Sequence, residues 1–114
     1  MKVSVEVKPA VVPAPDPTLR IRHKKMQKDA INARRIAEEK QKKANQLMLE
    51  ARRLQEMHKK DMKDREKKKR AEVIVNGAYR GASRAQNEAD EAKKVAEQKE
   101  TALRSIEKQL KTYS

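Results

Sequence analysis

Apolar residues recur along this chain in steps of four and three, the spacing that gathers side chains on one face of an α-helix. The longest run is Ala71, Val75, Ala78, Ala82, Ala85, Ala89, Ala92, Ala96, Lys99, Leu103, Ile106, Leu110 and Tyr113, interrupted only by Lys99. Such a run predicts a coiled-coil or helix-packing seam. Ala85, Ala89, Ala92 and Ala96 make its narrow part, where helices approach closely. Leu103, Ile106 and Leu110 make its bulky end, where more apolar area is removed from water.

A second seam precedes it: Met26, Ala30, Ala33, Ala37, Lys40, Ala44, Leu47, Ala51 and Leu54. Continued in the same steps, this seam reaches His58, Asp61, Arg65 and Lys68, and residues 58–70 hold one apolar side chain, Met62. Joining the two frames takes two consecutive steps of three, Arg65 to Lys68 to Ala71. That is a stammer, which overwinds a coiled coil locally. The expected reading of 58–70 is a solvated or polyanion-facing stretch of helix between two packing segments.

Helix is well supported elsewhere. Asp16 suits an N-cap and Pro17 the first helical position, where its missing N–H costs nothing. No proline follows in residues 18–113. Opposite charges sit four apart at Lys25 and Asp29, Glu38 and Lys42, Glu39 and Lys43, Glu56 and Lys60, Glu66 and Arg70, Asp90 and Lys94, Glu100 and Arg104, and Glu107 and Lys111. Each such pair adds about 0.2–0.5 kcal/mol. The weakest run is Val73-Ile74-Val75-Asn76-Gly77, with Gly81 close behind, because each glycine costs up to ~1 kcal/mol against alanine in a helix. Asn-Gly is also a turn signal. A break there would give a hairpin of helices 18–75 and 78–113. The seam keeps its register through this stretch, so the favoured expectation is an all-α chain. It has one long, coiled-coil-like helix over about 18–113, roughly 144 Å if straight, with a kink or hairpin break near 76–81.

An extended arm precedes the helix. Val3, Val5 and Val7 alternate with polar residues, the period of a half-buried strand, and Pro9, Pro13, Pro15 and Pro17 favour an extended tether. Residues 1–17 read as a docking arm that adds a strand to a partner's sheet, or as a tail.

Composition narrows the class. The chain has 114 residues, 41% charged, with two tyrosines and no Phe or Trp, so it lacks the aromatic anchors of a globular core. It has no cysteine, which excludes disulfides and thiolate metal sites. No apolar run approaches the roughly 20 residues of a membrane span, and residues 1–17 lack the apolar segment of a secretory signal. A soluble protein, inside a cell or within a particle, is expected. The net charge of +13 is concentrated: residues 18–70 hold 20 Lys and Arg against 8 acids, whereas 71–114 hold 8 against 7. The chain therefore divides into an arm (1–17), a basic helix (18–70) and an Ala-rich seam helix (71–114).

The chemistry lies in the basic helix. Lys59, Lys60, Lys63, Arg65, Lys67, Lys68, Lys69 and Arg70 concentrate cations that phosphates exchange for condensed counterions. Asp61, Asp64 and Glu66 lie in the same run, so a solvated, salt-bridged helix face is the competing explanation. No aromatic residue stands there to stack on bases, which argues against sequence-specific reading. His23 and His58 are 35 residues apart and fall in the seam frame, so they read as polar seam positions rather than metal ligands. There is no Gly-rich phosphate loop and no nucleophile beside a base. A non-enzymatic protein is expected, without cofactor or small-molecule substrate. It is a helical rod packing on itself or on other helical proteins of a larger assembly (a virion, a ribonucleoprotein particle or a filament), with its basic segment on a polyanion. The alternative is a nucleic-acid-binding accessory protein dimerising through its C-terminal helix.

Overall fold

The computed structural model describes residues 17–112. They form α1 (Pro17–Met57), a 3-10 turn (Asp61–Lys63) and α2 (Lys68–Thr112). The expected all-α class holds, and the described residues contain no strand. The valine arm Val3, Val5 and Val7, the cap Asp16 and the seam end Tyr113 lie outside the described residues.

The chain folds back as an antiparallel hairpin instead of running straight. Cross-helix hydrogen bonds join residues 84, 66, 45 and 24 apart in sequence, narrowing steadily toward the turn. The reversal lies at 58–67, not at 76–81, so the basic helix ends at Met57 rather than at residue 70. Residues 76–81 are continuous α-helix, and neither Gly77 nor Gly81 has a positive φ. The physical reason is burial. A straight helix would leave both seams in water, while folding back lays one on the other. The break falls where the seam has no apolar residue to lose.

The reversal needs neither glycine nor proline. The end of α1 loosens into i→i+3 bonds, Lys63 N–H to the Lys60 carbonyl and Asp64 N–H to the Asp61 carbonyl, both at 3.1 Å. Asp64 is then extended, with φ −90° and ψ 125°. Its carbonyl accepts from Lys68 N–H at 2.9 Å, closing the turn that leads into α2, and Ala71 N–H to the Lys67 carbonyl at 3.0 Å follows at the start of that helix. The Asp64 carboxylate accepts from Glu66 N–H at 2.9 Å and Lys67 N–H at 3.4 Å. Asp64 thus braces the turn in the manner of an N-cap, covering backbone donors just ahead of α2.

Among the described residues, twelve apolar side chains are buried between the helices, ten of them alanine; the others are Val75 and Ile106. Each methyl contributes little, so cohesion comes from close approach repeated along some 68 Å of α2. Ala33, Ala37 and Ala96, with Ala92 against them, form one such cluster. The two lysines placed in the seams by spacing, Lys40 and Lys99, turn outward and are exposed. Their neighbours Gln41 and Glu100 stand half-buried instead.

Candidate polyanion-binding tip

Folding back turns the middle of the chain into one end of a rod. Arg52 and Arg53 close α1, Lys59, Lys60, Lys63, Arg65 and Lys67 line the turn, and Lys68, Lys69 and Arg70 open α2. All ten are exposed. Only four acids share residues 52–70 with them: Glu56, Asp61, Asp64 and Glu66.

Those acids do little to neutralise the lysines and arginines. Asp64 is engaged on backbone N–H groups, and Asp61 Oδ2 lies 3.5 Å from His58 Nδ1. Among the described residues, only Lys68 of the eight cations at 59–70 has an ion pair within 4.0 Å, to Glu72 at 3.9 Å. Glu66–Arg70 does not close to that distance, nor do Glu38–Lys42 and Glu39–Lys43; Arg35–Glu39 does, at 3.2 Å. Exposed pairs gain so little over side-chain entropy that this is the ordinary outcome. The first turn of α2 carries no acid, although the positive end of the helix dipole favours one there. The C-terminus of α1, with the negative pole of its own dipole, lies at the same tip, so the attraction for an anion there comes from the side-chain cations.

The packing residues are distributed as follows. Ala85, Ala89, Ala96 and Ile106 are buried on α1, while Ala92, Leu103 and Leu110 are half-buried. One flank of the seam is fastened by polar pairs spaced seven or fourteen residues apart on each helix. Arg34 bonds Glu100, Gln41 and Gln86 exchange amide bonds at 2.9 Å in both directions, and Tyr79 donates to Gln55 at 2.5 Å. The Arg34 guanidinium holds the Glu100 carboxyl below the usual carboxylate range, chiefly by hydrogen bonding, with desolvation opposing. The other flank is a shallow groove in which Ile36 and Val95 stay 38% and 44% exposed. Toward the open end, His23 Nε2 lies 3.2 Å from Glu107 Oε2.

Sequence reasoning found the basic run but not its place at a tip. It missed Asp64, whose surroundings of Lys, Arg and Glu read as helix. It also missed Arg80 and Arg84, which extend the cationic surface along α2; the signal for them is the absence of any acid in residues 73–87. Among the described residues, no three His, Cys, Asp or Glu converge as a metal site, and no helix is long and apolar enough to cross a membrane.

No protein-family model, no curated protein and no solved structure matches this chain.

Proposed function

We propose that the protein is a non-enzymatic assembly component, a helical hairpin that presents a basic tip to a polyanion inside a larger complex. The observation that carries this reading is the exposed, largely unpaired cluster Lys59, Lys60, Lys63, Arg65, Lys67, Lys68, Lys69 and Arg70 at the reversal. A structural turn needs none of that charge, and repulsion among the cations opposes the fold that gathers them.

Exposed aliphatic side chains support the assembly half of the reading. Ile21, Ile31, Leu49 and Met57 are each more than half exposed, and among the described residues no further layer covers them. Neighbouring proteins of a complex would cover such surface. The seam of α2 is occupied by α1, so dimerisation through α2 would require the hairpin to open. That favours an assembly component over an accessory protein that dimerises by its C-terminal helix.

Retention on immobilised nucleic acid across a salt series tests the tip. With Lys67, Lys68, Lys69 and Arg70 changed to Gln, binding should weaken alike for unrelated sequences, and the salt slope should flatten by about 0.9 for each lost phosphate contact on duplex DNA. Gln preserves helix propensity, so the helix survives the change. An unchanged slope, or strong sequence preference, contradicts the reading.

A further inference from the structure

Beyond the tip, α2 carries a stripe stepping three and four: Arg70, Val73, Gly77, Arg80, Arg84 and Asn87, with Gly81 between its members. All of these residues are exposed, Val73 at 71%. No acid occurs in residues 73–87. Among the described residues, none of Arg70, Arg80 and Arg84 has an ion pair within 4.0 Å, whereas Arg34 and Arg35 in α1 both do. Arg70 and Arg84 stand about 21 Å apart along a straight helix.

The glycines on this stripe lack an internal reason. Both have negative φ, and a Cβ built on either meets no atom within 4 Å. Alanine would fit and would favour the helix. What the glycines do is lower the surface between arginines, so that something from outside can come close to the helix backbone.

We propose that this outer face of α2, Arg70, Arg80 and Arg84 around Gly77 and Gly81, is a seat for the phosphodiester backbone of nucleic acid, continuous with the basic tip. The proposal rests on the polyanion reading of that tip. A straight row of unpaired cations matches a linear array of charge, and duplex DNA carries one negative charge per roughly 1.7 Å of axis. Arginine's planar fork suits phosphate oxygens bidentately. The stripe has no aromatic residue for stacking, so the contact is to backbone rather than to bases. A lipid surface is a poorer fit, because Val73 is the one bulky aliphatic on the stripe.

The test measures binding of labelled duplex DNA and of a single strand between about 50 and 200 mM salt, for the full chain and three variants. The tip variant changes Lys67, Lys68, Lys69 and Arg70 to Gln; the shaft variant is Arg80→Gln with Arg84→Gln; the third is Gly77→Ala with Gly81→Ala. The shaft variant should lower the salt slope on duplex by about 1.8, two contacts' worth. The glycine variant should melt at a higher temperature than the wild type and yet bind at least about threefold more weakly. Tip-variant loss with wild-type binding by the shaft and glycine variants overturns this proposal and leaves the tip reading standing. Absence of wild-type binding to either nucleic acid overturns this proposal and, if polyglutamate is not bound either, the polyanion reading of the tip as well. Polyglutamate competing as well as DNA at equal charge would reassign the face to an acidic protein and overturn it too.

Discussion

Arg34 on α1 grips Glu100 on α2 with two parallel hydrogen bonds, Nε to Oε2 at 2.9 Å and Nη2 to Oε1 at 2.5 Å, across 66 residues of sequence. The pair is the fork-to-carboxylate geometry that makes arginine pairs directional. It fixes register, since sliding either helix by a turn would part the two groups, and an alanine seam alone discriminates poorly between registers.

This pair makes stability depend on pH. Glu100 titrates lower in the folded chain than in the unfolded one, principally through its bond to Arg34. Its stabilisation is therefore present above the unfolded value, about 4.3, and is lost as pH falls through the folded value. Melting temperature followed from neutral to acid pH should fall for the wild type. Glu100→Gln should start lower at neutral pH and fall less. Parallel curves for the two proteins would show that the pair carries no such linkage.

Asp64 should matter more than its exposure suggests. Asp64→Ala removes the acceptor for Glu66 and Lys67 N–H and should cost about 1 kcal/mol, seen as a loss of several degrees in melting temperature. Asp64→Asn keeps the acceptor and should lie close to wild type. Equal losses for the two would mean that charge, rather than capping, is what Asp64 supplies.

Close packing of methyl groups should make the seam intolerant of size. Ala96 is fully buried, and Ala96→Leu should destabilise the hairpin by about 1–3 kcal/mol. Ala102 is exposed on the same helix, and Ala102→Leu should change stability by no more than about 0.5 kcal/mol. Similar melting temperatures for both variants would contradict an alanine-tight interface.

Much of the fold was legible because periodicity is a strong signal: the two alanine seams, and hence the helices that carry them, follow from spacing. What spacing does not say is which surface a seam meets. A face of Ala82, Ala89 and Ala96 is equally suited to a second chain or to the same chain folded back. The turn at Asp64 was hidden because it is written in lysine, aspartate and glutamate, all compatible with helix, and has no glycine or proline. Gly77 and Gly81 gave the opposite signal, yet the packing of Ala78, Ala82 and Ala85 in unbroken register outweighs their low propensity. The basic run was visible as composition. That Lys59 and Arg70 share one end of a rod, with Arg80 and Arg84 beside them, depends on the reversal. The Arg34–Glu100 pair depends on it too.

Everything proposed for the tip requires the chain to turn back at 58–67, and one distance decides that. The chain has no cysteine, so Asn32→Cys with Gln98→Cys gives two unique, exposed sites for spin labels. Pulsed dipolar measurement, with labelled chains diluted in an excess of unlabelled ones, reads the separation within one molecule. Across a pair of packed helices about 8–10 Å apart, with helix diameters of about 10–12 Å, the labels should lie within roughly 35 Å of each other. A single straight helix would hold them about 100 Å apart, and a distribution lacking the short distance would contradict the hairpin and the tip it creates.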